Sequence, residues 1–262
     1  MHYDMVRKLI SRSIFLLLLA ASGIPSRAQS NPIFLTHGHI EFQRSVNVYA
    51  QMQQRMDEGD DHWMDLMKKM SNHFKTSYFD LYFTGNKCLY KPGRESDDKQ
   101  TNFFMWQSPA QDNTVFSDLE TKKGISRKNV FEEGFLVQDS IRTIRWKITD
   151  ETRNIAGFNC RRANAIIMDS IYVVAFYTDE IIAEGGPESF TGLPGMILGV
   201  SLPHNHVSWF ATKVEAVSVS DAQVTPPLKG KKVNNAGLLQ GIIPSMKDWG
   251  KGGRQFIESI ML

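Results

Sequence analysis

The chain is short of cysteine. Cys88 and Cys160 are the only two in 262 residues. That is too few for a disulfide-stapled scaffold or a four-cysteine zinc site. Excess charge of one sign is missing too. Lys and Arg total 30 against 28 Asp and Glu, so the net charge calls for no nucleic-acid partner. Internal repeats are absent, and a hydrophobic content of 42% excludes disorder, collagen and long coiled coil. Beyond the first two dozen residues there is no long apolar run, so nothing downstream reads as a membrane-spanning helix. The H-E-x-x-H, C-x-x-C and phosphate-loop patterns are missing. Gly250-Lys251-Gly252-Gly253 lacks the spacing and strand context of a phosphate loop, and Ser189 has no nucleophile elbow around it. No cofactor and no metal is expected.

What is present begins with an address. Arg7, Lys8 and Arg12 precede an apolar run from Ile14 to Ala21, and Ser22-Gly23-Ile24-Pro25 breaks it. Ser26-Arg27-Ala28 places small residues where a signal peptidase reads. Residues 1–28 therefore read as a secretory signal peptide cleaved near Ala28. The apolar run is shorter than the roughly 20 residues a span needs. The leader takes with it four basic residues and one acidic residue, leaving 26 basic against 27 acidic, a net charge of −1. The mature protein is expected in the periplasm or secreted. An oxidising compartment permits a Cys88–Cys160 bridge, but spacing alone does not decide it.

Period-2 patterning dominates the mature chain. Phe79, Leu81 and Phe83 alternate through Tyr78 to Thr84, Gly85-Asn86 supplies a tight turn, and Lys87 to Lys91 returns. Ile144, Trp146 and Ile148 alternate with Arg145 and Lys147. Phe158 to Ile167 and Ser170 to Thr178 flank Met168-Asp169 as a second hairpin, whose second arm is apolar on both faces and so central or covered. Met196 to Leu202 and Val207 to Val219 pair around Pro203-His204-Asn205. Val48 to Asn72 reads as helix, divided at Gly59-Asp60-Asp61, with Met52, Met56, Trp63, Leu66, Met67 and Met70 as a broken apolar stripe. A short helix is expected near Gly253 to Met261. Loops are expected near Pro92 to Thr101 and Thr225 to Ala236. The fold class is α+β, mostly antiparallel β: a strongly curved sheet or half-barrel with one or two packed helices. Residues 29–224 form the β-rich domain, and residues 225–262 a C-terminal extension, partly loop.

The densest signal is Gly185 to Val200, GGPESFTGLPGMILGV. Pro194 pre-sets φ at the second position of a turn and Gly195 supplies positive φ at the third, predicting a type II turn over Leu193 to Met196. Gly185-Gly186-Pro187 is a second tight turn. Phe190-Thr191-Gly192-Leu193-Pro194-Gly195-Met196-Ile197-Leu198 resembles the signature of the GLPGLI proteins, with Met196 in place of Leu. Trp146-Lys147-Ile148, Asn159-Cys160-Arg161-Arg162-Ala163, Ala175-Phe176-Tyr177-Thr178-Asp179-Glu180-Ile181 and Gly186-Pro187-Glu188-Ser189-Phe190 are similar to that family's other blocks, in the same order. The resemblance implies an exported protein of a Gram-negative bacterium, working beside outer-membrane transporters. It implies no reaction and no catalytic residue.

The candidate binding residues are Tyr177, Glu180, Pro187, Phe190, Gly192, Leu193, Pro194, Gly195 and Met196. The expected function is non-catalytic binding or carriage of an apolar or amphipathic ligand. The alternatives are an envelope interaction protein acting beside an outer-membrane transporter, or an uncharacterised enzyme. His37-Gly38-His39 and His204-Asn205-His206 read as surface histidines, since no carboxylate lies at supporting spacing for a metal. The methionines of the helix read as core rather than soft-metal ligands. Asp179, Glu180, Glu184 and Glu188 are the only acid–base candidates near the motif and read as solvated. Arg127-Lys128, Arg161-Arg162 and Lys229 to Lys232 read as solvated basic faces. Cys160 reads as structural.

Overall fold

A computed structural model describes residues 34–55, 61–96, 112–247 and 249–262. The signal-peptide segment, Met56, Gly59 and the second half of the Pro92 to Thr101 loop lie outside the described residues.

Strand β1 (His37–Asn47) is built on strict alternation. Ile40, Phe42, Arg44 and Val46 point inward, and His39, Glu41 and Gln43 point outward. Asn47 then caps a short helix, its side chain accepting from Ala50 N at 3.0 Å. Helices α1 (Val48–Arg55) and α2 (Asp61–Met70) form a hairpin between β1 and the next strand. Met52 and Met67 are buried, as their stripe predicts, but Leu66 of the same stripe faces outward and is exposed. The Tyr49 hydroxyl donates to Lys68 O and Ser71 O, tying the end of α2 to α1.

A meander follows: β2 (Phe74–Thr84), β3 (Lys87–Pro92), β4 (Thr114–Asp118), β5 (Lys123–Val130) and β6 (Glu133–Ser140). Gly85-Asn86 makes the β2–β3 turn, with Gly85 at φ +52. A second meander comprises β7 (Lys147–Ile155), β8 (Phe158–Ile167), β9 (Ile171–Thr178), β10 (Met196–Leu202) and β11 (Val207–Glu215). The β8–β9 loop is three residues, Met168 to Ser170, between the paired Ile167 and Ile171, one longer than the sequence suggests, and Met168 and Asp169 both sit at positive φ. β9 lies between β8 and β10 and is buried on both faces along almost all its length.

The strands form one open twelve-stranded sheet, with order β12-β6-β5-β4-β3-β2-β1-β11-β10-β9-β8-β7 and β12 spanning Lys231–Val233. Every pairing is antiparallel except β12 with β6, which is parallel. The C-terminal segment is thus stitched to the sheet through β12, inside the stretch expected to be loop. It continues as α3 (Asn235–Ile242), a 3-10 turn (Ile243–Met246) and α4 (Gly250–Met261). Asn234 caps α3, accepting from Gly237 N at 2.8 Å. The described residues hold four helices where one or two are predicted from sequence.

The main apolar cluster runs from β4 through β3, β2, β1, β11, β10, β9 and β8 to β7, and includes the motif residues Phe190 and Leu193. A second cluster joins β5 and β6 to α3 and α4 through Val130, Phe135, Val137, Leu238, Phe256 and Ile260. No described helix is long and apolar enough to cross a membrane.

Candidate functional site

The segment between β9 and β10 carries the motif, and it lies as a strut in the core. Leu35 N donates to Glu180 O, Met196 N to Ile181 O and Ile197 N to Gly185 O, so the loop is laced to its own strands. Trp146 Nε1 donates to Thr191 O at 2.9 Å. Tyr177, Pro187, Phe190, Leu193, Gly195 and Met196 are buried, Glu180 is half-buried, and only Gly192 and Pro194 are exposed. Phe190 rests on Trp209 of β11, ring centroids 6.1 Å apart. Gly195 has the positive φ that the sequence predicts, +135. The turn itself is tighter than type II. Gly195 N closes a three-residue turn onto Leu193 O at 2.8 Å, because the amide of Met196 is taken by Ile181 O.

Glu188 corrects the expectation of a solvated acidic set. Asp179 and Glu184 are exposed, but Glu188 retains only 4% of its surface and holds a left-handed backbone at φ +51. A non-glycine residue in that region stores strain, which its side-chain contacts must offset. Asn113, just before β4, donates to Glu188 Oε2 at 2.9 Å. Burial pushes the Glu188 carboxyl above its ordinary pKa, while Asn113, Lys128 and Arg44 pull it back. Arg44 lies on the inward face of β1 with its guanidinium 5.6 Å from the centre of the Trp209 ring. Burial lowers the Arg44 pKa, opposed by the charge on Glu188. The Tyr90 hydroxyl, Trp209 Nε1 and Asn113 Oδ1 are buried here without a hydrogen-bond partner among the described residues.

Lys128 corrects a second expectation. Arg127 is exposed, but its neighbour on β5 points inward and keeps 4% of its surface. Burial pulls the Lys128 ammonium down to about 8. Its Nζ donates to Ile260 O at 2.6 Å. Arg142, in the irregular link between β6 and β7, donates Nη2 to Met261 O at 2.6 Å. The Ser189 hydroxyl donates to Leu262 O. The last carbonyls of α4 have no intrahelical donors and sit at the negative end of its dipole. Two cations and a hydroxyl take them, which seats the helix against β5 and the motif loop.

Two hollows meet at this helix end. One is mixed: Ser117, Ser126, Lys128, Asp139, Arg142 and Ser189 line it together with aliphatic side chains such as Val115, Ile125 and Ile141. Asp139 accepts from Asn235 N and Ser140 N, so its oxygens are engaged by the start of α3. The other is an apolar groove between α4 and the β8–β9 hairpin. Met168, Leu239, Ile243, Met246, Ile257 and Met261 form its walls, with Arg142, Lys247 and Arg254 among the charged residues at its rim. Arg142 and Met261 line both hollows.

Cys88 and Cys160 are both buried and free. Burial pushes each thiol up to about 12, so neither supplies a thiolate at neutral pH. His39 is half-buried rather than a free surface residue. It bridges two neighbouring strands, Nε2 lying 2.8 Å from Asp80 and Nδ1 3.0 Å from Glu215. His204 and His206 fall in the 3-10 turn after β10 and its C-cap. Among the described residues no group of His, Cys, Asp and Glu is arranged to hold a metal.

Sequence reasoning missed Arg44, Lys128 and Arg142. The first two leave a trace, because each is a cation in the inward phase of an alternating strand, between Phe42 and Val46 or one step before Val130. Arg142 has no such signature, since it meets α4 only through the tertiary fold.

The family model described as "Protein of unknown function (Porph_ging)" matches residues 166–199, from the end of β8 through the motif into β10. No curated protein matches the chain significantly. Two solved structures of PNGF-II resemble it at 14% identity and a TM-score of 0.48. The P21 form covers 84% of this chain and 34% of that chain. The C2 form covers 76% and 31%. The chain thus spans about a third of that protein's length.

Proposed function

We propose that this is an exported, non-catalytic binding protein of the cell envelope that carries a single-chain amphipathic ligand. The observation that carries the proposal is the groove between α4 and the β8–β9 hairpin. Its walls are methionine and branched aliphatic side chains, and charged residues line it as well: Arg142, Lys247 and Arg254 with Asp169 and Glu258. Apolar walls with few placed polar groups are the usual form of a small-molecule site. Methionine adapts its shape to flexible chains. Ile243 keeps 47% of its surface, an exposure that a ligand chain offsets. The likeness to GLPGLI proteins and the leader-like residues 1–28 support export to the periplasm. A strongly curved sheet is part of the proposal, supported by the one apolar cluster that β1–β3 share with β8–β11 and Leu262.

The test uses the chain from residue 29 and the fluorescent probe N-phenyl-1-naphthylamine, displaced by dodecanoate. Saturable binding that Ile243→Asp abolishes, with thermal unfolding unchanged, is the expected result. A protein that takes up no probe ends the proposal.

The motif also has a second reading. Gly192 and Pro194 are the exposed residues of the Phe190–Leu198 stretch. An envelope partner such as an outer-membrane transporter can dock there. Pro194→Ala then loses partner recovery in cross-linking while its ligand content stays that of wild type.

A further inference from the structure

The groove has a polar end, and its chemistry selects a ligand class. Arg142 and Met261 line both hollows, which places the Lys128 side of one next to the apolar walls of the other. An arginine presents five N–H donors and a lysine three. Arg142 spends one on Met261 O, and Lys128 spends one on Ile260 O. Among the described residues no carboxylate lies within ion-pair distance of either cation. Asp139, which lines the hollow, already accepts two backbone N–H groups. Glu188 acts on Lys128 through space but is itself held by Asn113.

Carbonyl oxygens satisfy a donor, yet they do not neutralise a cation taken out of water. Glu188 acts on Lys128 and Arg44 but not on Arg142, whose burial no negative charge among the described residues offsets until an anion joins it. Ser117 and Ser126 add hydroxyls to the same walls. Guanidinium beside ammonium is the donor set that recognises carboxylate and phosphate oxygens.

We infer that the ligand is an acyl or alkyl chain with an anionic headgroup, carboxylate or phosphate, its chain in the groove of Met168, Ile257 and Met261 and its headgroup between Arg142 and Lys128. The inference rests on the groove being a binding site and adds the chemistry of the ligand's head. The helix end stays in place, because the headgroup uses donors that Ile260 and Met261 leave free.

The experiment compares four probes of one chain length by calorimetry on the protein from residue 29: dodecanoate, dodecyl phosphate, dodecanol and dodecyltrimethylammonium. Dodecanoate or dodecyl phosphate is expected to bind at least about tenfold more tightly than dodecanol, and the ammonium probe most weakly. Arg142→Gln is expected to bring the anionic probes within about twofold of dodecanol. Because Arg142 also caps α4, the wild-type selectivity series stands as a test that needs no variant. A preference for one anion over the other identifies the headgroup. Equal affinity for all four overturns the headgroup assignment and leaves the groove intact. Tighter binding of the ammonium probe overturns it as well. If none binds, the groove proposal falls, and this one falls with it.

Discussion

The side-chain amide of Asn113 donates to Glu188 at 2.9 Å, joining the segment before β4 to the centre of the motif loop. This contact holds a buried carboxylate on a strained backbone between two buried cations, Arg44 and Lys128. Removing one partner of such a set strands the others. Glu188→Ala is expected to cost about 3–5 kcal/mol, and Asn113→Ala about 1–3 kcal/mol. The two share one interaction, so the double variant is expected to be little worse than Glu188→Ala alone. Urea unfolding of the four proteins measures the coupling. Additive losses would show that the Asn113 contact contributes nothing of its own.

Lys128 gives the protein a signed pH dependence. Its folded pKa is about 8 against an ordinary 10.5, so between those values the unfolded chain binds more protons than the native state. Stability from this group therefore rises with pH across that window, by up to about 3 kcal/mol. The groups acting on it are Glu188, which favours its charge, and Arg142, which opposes it. Lys128→Met removes the titration. Stability differences between wild type and Lys128→Met, measured at pH 7.5 and pH 10, should shift toward wild type as pH rises. A constant difference would place Lys128 in water.

Much of the second meander is legible in the chain because its local signals agree. Met168-Asp169 falls between two apolar arms, Pro203-His204-Asn205 breaks two more, and each break becomes a turn. Strands β4 to β6 are harder to read. Ser117, Ser126 and Lys128 occupy inward positions, which blurs the alternation that marks a strand. β12 has three residues and pairs in parallel with β6, so no local pattern announces it. Gly195 was predictable because positive φ has a residue preference. The burial of Glu188 was not, since the residues that bury it come from β1, β3, β5 and the segment before β4.

The two tips and the pivot of the motif should part company under mutation. A Cβ at Gly195 meets Thr178 O at 2.1 Å on a backbone at φ +135. Gly195→Ala is expected to cost at least about 3 kcal/mol, or roughly 6–12 °C in Tm for a chain of this size. Pro194 is exposed, so Pro194→Ala is expected to shift Tm by no more than about 2 °C. Gly85 also has positive φ, but open space surrounds it. Gly85→Asn should therefore be tolerated within about 1 kcal/mol. Scanning calorimetry ranks the three. Equal losses at Gly195 and Gly85 would mean that φ alone, and not the approach to Thr178, sets the cost.

Gly185 and Cys88 form a pair that tests whether the loop is packed on β3 as a strut. A Cβ on Gly185 lies 2.5 Å from Cys88 Sγ, and its next neighbours, Met196 Cε and Cys88 Cβ, are at ordinary contact distance. The sulfur alone excludes a side chain there. Gly185→Ala is expected to cost about 1–3 kcal/mol through overpacking. Cys88→Ala opens the space and costs roughly 1 kcal/mol as a small cavity. In the Cys88→Ala background, Gly185→Ala should become neutral or stabilising by a few tenths of a kcal/mol, because alanine narrows the unfolded ensemble. Gly186→Ala serves as the control. Its Cβ meets Phe190 O at 2.6 Å and Ile197 Cβ at 2.9 Å, contacts that losing a sulfur does not relieve. Chemical denaturation of this set yields the coupling energy directly. A Gly185→Ala loss that persists without the Cys88 sulfur would show that the loop does not lie against β3.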